Sequence, residues 1–185
     1  GELNNEQVYD CIQDFFKSVV LPPSLKAKYS RKLGSWLAQG LNEESQKGVG
    51  KVINLFKESI MLDNKVVKTW HLFALTNYKR IQQIMASKDK STISDSPHSQ
   101  GLLYLIKDAC EGFIKSISIG GSEFTETLQD TLKLLELWFK FGDIPEIQKQ
   151  LKDAYGEIDI SCWLNVVPQM IAKLDIPNDI ILENA

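Results

Sequence analysis

The sequence has 185 residues, of which 43% are hydrophobic and 24% are charged, and its formal net charge is −3 at pH 7. This composition excludes a disordered chain, a collagen-like chain and a coiled-coil rod, and it is typical of a soluble globular protein. No apolar run reaches the roughly 20 residues that span a bilayer, and the acidic balance gives no general attraction to nucleic acid. We therefore expect neither membrane insertion nor direct nucleic-acid binding.

Helical periodicity dominates the chain from its beginning. Apolar side chains recur at three- and four-residue intervals in eight segments, at about 6–20, 24–38, 43–62, 65–87, 101–117, 124–142, 145–155 and 161–174. The sixth segment is apolar on two faces, which predicts a helix buried between neighbours. In the eighth segment, Pro168 is expected to remove one backbone hydrogen bond and kink the helix.

Prolines, glycines and polar stretches separate these segments. Pro22 and Pro23 end the first helix, because proline donates no backbone hydrogen bond and clashes with the preceding turn. The stretch 87–100 is polar and contains Pro97 and five serines, so we expect a flexible surface loop there. Since the chain begins with Gly1 and not with methionine, we also expect it to be a piece of a longer protein.

The order of elements predicts an all-α fold. No segment alternates convincingly between apolar and polar residues over the length of a strand, and residues 115–119 come nearest. With mostly short connections, about eight helices should pack as antiparallel hairpins that stack into an α-solenoid. Four aromatic residues follow one another at 34-residue intervals, the length of a tetratricopeptide unit, and they suggest a repeat: Trp36, Trp70, Tyr104 and Trp138.

Few side chains are arranged for catalysis or metal binding. The three cysteines, Cys11, Cys110 and Cys162, form no C-x-x-C pair, and neither His71 nor His98 lies near them in sequence. We expect reduced thiols and no metal site. The carboxylates are scattered, and His71, next to a tryptophan on a helix, is interpreted as a packed or hydrogen-bonding residue. No catalytic residue is predicted.

Seven residues are expected to form the structural core because they lie at helical spacing among other apolar residues. They are Trp36, Trp70, Leu132, Trp138, Phe139, Trp163 and Pro168.

Basic residues are concentrated on the second and fourth predicted helices. Packing of these helices would bring them into a pocket for a polyanion, whereas a solvated basic face is the alternative that the sequence alone favours. The candidate ligand-binding residues are Lys26, Arg31, Lys32, Lys68, Lys79 and Arg80, with Lys28 in the same cluster on the second helix.

Three stretches taken together resemble the FAT domain of the phosphatidylinositol 3-kinase-related protein kinases, and within that family the target-of-rapamycin (TOR) branch most. They are GFIKSISI (112–119), LQDTLKLLELWFKFG (128–142) and ISCWLNVVPQMIAKLDIP (160–177). Upstream, KLGSWLAQGLNEES (32–45) and KTWHLFALTNYKRI (68–81) are similar to the hairpins that precede these blocks in the family. The resemblance covers about 26–177.

The resemblance implies an α-solenoid of hairpins like those of tetratricopeptide and HEAT repeats. It implies a non-catalytic scaffold segment that clamps the kinase domain of a large serine/threonine kinase and supports assembly with regulatory subunits and the other FAT repeats. The sequence contains no HRD-type or DFG-type motif, so ATP and Mg²⁺ would bind only in a kinase domain outside this chain. The expected location is the cytoplasm, with the nucleus and the surface of endomembranes as alternatives.

The resemblance also implies a ligand. FAT domains of the TOR type hold an inositol polyphosphate in a pocket lined by lysine and arginine, and Lys32 and Lys68 occupy positions that match basic residues of the family pattern. Two alternatives to a pure scaffold therefore stay open. One is a helical module that binds inositol hexakisphosphate, and the other is a peptide-binding adaptor of the tetratricopeptide type.

Overall fold

The computed structural model describes residues 5–40, 46–86, 100–154, 156–168 and 171, and the regular structure in these ranges is helical. The α-helices are α1 (Asn5–Ser18), α2 (Pro23–Gly40), α3 (Gln46–Leu62), α4 (Val67–Ala86), α5 (Gln100–Gly120), α6 (Thr127–Phe141), α7 (Pro145–Ala154) and α8 (Ile160–Leu164), and a 3-10 turn (Gly121–Glu123) precedes α6. The prediction of an all-α fold is confirmed. The predicted polar loop lies outside the described residues apart from Gln100, which begins α5.

The helices pack as hairpins in two layers. Helix α2 packs on α3, α4 on α5 and α6 on α7, and α5 also contacts both α6 and α7. We call α2, α4 and α6 the A layer and α3, α5 and α7 the B layer. Within the A layer, His71 and Tyr78 of α4 pair with Asp130 and Glu136 of α6, so the two helices run in the same direction. This stacking confirms the predicted α-solenoid.

Two apolar clusters lie between the layers. The larger one extends from α4 to α8 and includes Phe113, Ile117, Leu134 and Ile147, each with no exposed surface. The smaller one is formed by Val52 and Phe56 of α3 with Trp70 and Phe73 of α4. Helix α4 therefore contributes to both clusters and joins the two parts of the core.

Two glycines permit the closest helix crossings. A Cβ atom added at Gly112 of α5 would lie 2.8 Å from Cβ and 3.1 Å from Cα of Ala74 on α4. A Cβ atom added at Gly34 of α2 would lie 2.9 Å from the ring of Phe56. Both contacts are shorter than side-chain carbons tolerate, so these glycines set how closely α5 approaches α4 and α2 approaches α3.

The seven residues expected in the core differ in burial. Trp70 is buried. Trp138 and Trp163 pack against the large cluster, and their rings contact each other edge to face with centroids 6.5 Å apart. Leu132 is half-buried. In contrast, Trp36 is 41% exposed and Phe139 is 58% exposed, so these two do not lie in the core. Helical spacing identifies an apolar face, but only the packing of neighbouring helices decides whether that face is covered.

Pro168 is also exposed, and it marks a break instead of a kink. Helix α8 ends at Leu164, the chain turns at residues 165–166, and helical conformation resumes at Val167. The single helix predicted at about 161–174 is therefore wrong over 165–166, and its residues 169–170 and 172–174 lie outside the described part. Proline lies in the first turn of the new segment, where a helix needs no N–H from it.

The 34-residue interval does not mark a repeat. Trp36 lies near the end of α2, Trp70 in the first turn of α4, Tyr104 in α5 of the B layer and Trp138 near the end of α6. These are not equivalent positions of successive hairpins. The repeat suggested by the aromatic spacing is therefore wrong, although the hairpins themselves do stack.

Candidate functional site

The distribution of charge on α2 and α4 differs from that of the whole chain. Neither helix sequence contains an aspartate or a glutamate, whereas α2 carries four lysines and arginines and α4 carries three. The chain as a whole has a net charge of −3. Because α2 packs beside α4 in the A layer, the two helices that lack acidic residues are neighbours on an acidic protein.

Some of the candidate ligand-binding residues contact other side chains or are half-buried, and the others are exposed. Lys26 lies 3.1 Å from a carboxylate oxygen of Glu58, and Arg80 donates a long hydrogen bond of 3.4 Å to Gln83. Arg31 is half-buried on α2. Four lysines are exposed on the same two helices, and we call them the basic face: Lys28, Lys32, Lys68 and Lys79.

The lysines of the basic face are spread along their two helices. Lys28 and Lys32 are four residues apart on α2, which places their Cβ atoms about 6 Å from each other. Lys68 and Lys79 are eleven residues apart on α4, or about 16 Å along the helix axis. A separate cleft of about 260 Å³ contains none of these residues and is lined by Asn64, Lys65, Trp70, Lys115, Ser118 and Ile119.

A buried polar cluster connects α4, α5 and α6. His71 Nδ1 lies 2.9 and 3.0 Å from the two carboxylate oxygens of Asp130, and the Ser116 hydroxyl donates to the same carboxylate at 2.7 Å. Asp130 has no exposed surface, and the His71 side chain is 12% exposed. The ring of Phe124 packs edge-on against the imidazole with centroids 5.7 Å apart. Each helix thus supplies one member of the cluster.

A second polar group lies further along α6. The Tyr78 hydroxyl donates to Glu136 at 2.6 Å, and the Gln82 amide donates to the other carboxylate oxygen at 2.9 Å. Burial, followed by the hydrogen bond to Glu136, raises the pKa of Tyr78 to about 12. The phenol therefore stays protonated and keeps donating well above neutral pH.

The geometry of these groups favours helix packing over catalysis. Ser116 donates to Asp130 and not to His71, whereas a serine nucleophile needs a base at its hydroxyl. Burial raises the pKa of the Cys110 thiol to about 12, which suppresses its reactive thiolate. Within the described ranges, no three histidine, cysteine or acidic side chains are grouped as metal ligands. The interpretation of His71 as a hydrogen-bonding residue is confirmed.

Sequence reasoning missed Asp130 as a buried partner of His71, because the carboxylates were expected mostly at solvated positions. One signal was available. Asp130 lies on a helix that is apolar on two faces, and a carboxylate on such a helix needs a partner when it is buried. The identity of that partner was not accessible, since His71 is 59 residues away in sequence.

The sequence matches one protein family and several known kinases. The family model described as "FAT domain" matches residues 6–136. The chain is 33% identical over 145 residues to serine/threonine-protein kinase TOR2 of Saccharomyces cerevisiae, covering 64% of this chain and 6% of that protein. It is 30% identical to serine/threonine-protein kinase TOR of Arabidopsis thaliana, covering 86% of this chain and 6% of that protein. It is 29% identical to serine/threonine-protein kinase mTor of Drosophila melanogaster, covering 85% of this chain and 7% of that protein.

These matches cover most of this chain but only a small part of each relative. The chain spans 6 to 7% of the length of the three curated relatives. Among the helices in the described ranges, none is both long enough and apolar enough to cross a bilayer.

Proposed function

Since the chain belongs to the FAT domain family, we propose that it is a scaffold segment of a large TOR-like serine/threonine kinase. In this role it clamps the kinase domain and supports assembly with regulatory subunits, while the kinase domain binds ATP and transfers phosphate. The segment itself contributes packing surfaces and not catalytic groups.

Exposed apolar residues at one end of the helical stack carry this proposal. On α6, Leu128 is 43% exposed and Phe139 is 58% exposed, and on α8 Ile160 and Leu164 are 72% and 61% exposed. Val167 and Ile171, beyond the turn that follows α8, are also 37% and 52% exposed. A helix face of this composition is normally covered by a neighbouring element, as expected of one segment in a longer solenoid.

The scaffold proposal is tested in the longer kinase that we infer contains this segment. The paired change Leu128→Ser and Phe139→Ser should lower kinase activity and weaken the recovery of regulatory subunits in co-purification, because the covered face loses its apolar contacts. Met61→Ser is the matched control, since Met61 is 88% exposed but lies at the end of α3, away from this face. Unchanged activity and unchanged co-purification in the paired variant would contradict the scaffold role.

A second candidate function is binding of a polyanion such as inositol hexakisphosphate on the basic face. The observation that favours it is the complete lack of acidic residues on α2 and α4 beside four exposed lysines. Lysine ammonium groups bind phosphate as point charges, and such binding weakens as salt increases. A soluble peptide with several carboxylates is the ligand that an adaptor of the tetratricopeptide type would place on the same face.

Calorimetry distinguishes these ligands. Inositol hexakisphosphate should release heat on binding at low salt, with a dissociation constant that rises when the salt concentration is raised. Lys32→Gln and Lys68→Gln should each weaken binding by about tenfold or less, as expected for one exposed charge. Lys152→Gln is the control, since Lys152 is exposed on α7. No heat and no thermal stabilisation at millimolar ligand would exclude the site, and heat with an acidic peptide alone would favour the adaptor.

A further inference from the structure

The two joints of the A layer are built from different chemistry. The joint between α2 and α4 is bridged by Ser59 of α3, beside the small apolar cluster. The Ser59 hydroxyl donates to the Ala27 carbonyl of α2 at 2.8 Å and lies 3.5 Å from the Thr69 hydroxyl of α4. Between α4 and α6, the side-chain contacts centre on the carboxylates of Asp130 and Glu136. We call the residues of the second set the polar joint: His71, Tyr78, Gln82, Ser116, Asp130 and Glu136.

This difference restricts the angle between the two helices at the second joint, α4 and α6, to a small range. Apolar packing is non-directional, so it constrains the angle between two helices less sharply than hydrogen bonds do. Hydrogen bonds weaken steeply when they lengthen or bend. Asp130 and Glu136 are six residues apart, about 9 Å along α6, and each is bonded to α4. Two directional attachments at this separation define the angle between α4 and α6.

The polar joint should also open in one step. Asp130 is fully buried and its carboxylate accepts from both His71 and Ser116. A buried carboxylate that loses its partners without gaining water is strongly disfavoured. Partial opening is therefore unstable, and the joint is either closed with a dry carboxylate or open with a hydrated one. His71 is 12% exposed, so the cluster lies close to solvent.

We propose that the polar joint is a conformational device that sets the angle between the α4–α5 and α6–α7 hairpins, and that its opening switches this angle between two states. Asp130 is the central positioning residue, because it alone is bonded to both α4 and α5 within the described cluster. The joint between α2 and α4 should not switch, since its side-chain contacts through Ser59 join hydroxyl groups and a carbonyl, and not a fully buried carboxylate.

Distance measurements between spin labels test the proposal in the 185-residue chain. Labels are attached at Lys79→Cys on α4 and Lys140→Cys on α6, both exposed positions outside the joint, in a Cys11→Ser background. Cys110 and Cys162 are buried and stay unlabelled. The labelled protein should show one narrow distance population. Asp130→Ala should add a second population at a different distance, and Ser116→Ala should add a smaller share of the same population.

Two further variants separate switching from simple loss of stability. Lys115→Gln breaks an exposed ion pair with Glu157 and should leave the single population unchanged. The double variant His71→Gln with Asp130→Asn restores a hydrogen bond between neutral amides and should return most of the signal to the original distance. If Asp130→Ala does not fold, Ser116→Ala decides the question. Lower melting temperatures with an unchanged single distance in the Asp130 and Ser116 variants would overturn the proposal.

Discussion

The two apolar clusters differ greatly in size although both join an A helix to a B helix. Among the described residues, the cluster around α4 to α8 contains eighteen buried residues, whereas the cluster between α3 and α4 contains four. The smaller one is supplemented by polar contacts, since Ser30 donates to Glu58 at 3.1 Å and Ser59 donates to the Ala27 carbonyl. We therefore expect the α2–α3 hairpin to depend on α4 for its stability, and the α4–α8 part to be stable through its own apolar contacts.

Truncating one fully buried phenylalanine in each cluster should have the largest effect on stability and should distinguish the two parts of the molecule. Phe113→Ala and Phe56→Ala should each lower the free energy of unfolding by about 3–5 kcal/mol, since neither side chain has exposed surface. Their consequences should differ. Phe113→Ala should shift the whole urea transition followed by circular dichroism, whereas Phe56→Ala should release α2 and α3 in an earlier, separate transition. A single shifted transition in both variants would contradict the proposed dependence.

Glycine substitutions should change the stability of the two parts by smaller and different amounts. Gly112→Ala forces a Cβ atom against the backbone of Ala74, with Cα and N both at 3.1 Å, and overpacking of this kind costs about 1–3 kcal/mol. Gly34→Ala meets only the ring of Phe56 and should cost less, because a side chain yields more easily than backbone. Gly50→Ala, with no atom within 4 Å, should instead gain about 0.5–1 kcal/mol from helix propensity.

Thermal unfolding of the three glycine variants measures this order directly. Equal melting temperatures for Gly112→Ala and Gly50→Ala would show that the close α4–α5 crossing does not constrain the large cluster.

Alkaline pH should weaken both parts of the molecule through one tyrosine each. Burial raises the pKa of Tyr29, whose ring stacks on Phe16, from 10.0 to about 12, and that of Tyr78 by the same amount. A raised pKa in the folded state means that the stabilisation is complete below pH 10 and is lost between pH 10 and about 12. Urea titrations across this range should show a shallower loss of stability in Tyr78→Phe and in Tyr29→Phe.

Cys110 must be separated from this tyrosine effect. Burial raises the pKa of its thiol from 9.0 to about 12, so its contribution is lost from pH 9 upward by the same sign rule. A Cys110→Ala background removes that contribution. An identical alkaline slope with and without Tyr78 in this background would refute the role of the Tyr78 hydroxyl.

The smallest effect is expected at the ion pair that links the B helices of the two parts. Lys57 on α3 lies 2.7 Å from Asp108 on α5, with 47% and 22% of the side chains exposed. Exposed pairs of this kind contribute about 0.2–1 kcal/mol and are screened by salt. Lys57→Gln should lower the melting temperature slightly at low salt and not at high salt. A larger, salt-independent loss would mean that Lys57 acts through packing on Phe73, over whose ring it lies.

Most of the helices were predictable from residue spacing, but their partners were not. The three- and four-residue periodicity placed α2, α4 and α7 within a few residues of their observed ends. Periodicity failed where a buried face and an exposed apolar face have the same spacing. Trp36 and Phe139 have helical spacing like core residues, yet no described helix covers them. The polar joint was not predictable, because His71 and Asp130 are brought together only when α4 and α6 pack side by side.

The all-α chain of stacked hairpins, with basic α2 and α4 helices, follows from the amino-acid sequence alone, because periodicity, proline positions and charge are local properties of the chain. Helix packing settled which apolar faces are covered, that Asp130 is buried against His71 and Ser116, and that Pro168 lies in the first turn of a new helical segment. These depend on which helices become neighbours, and that choice is made by the summed packing of residues far apart in the chain.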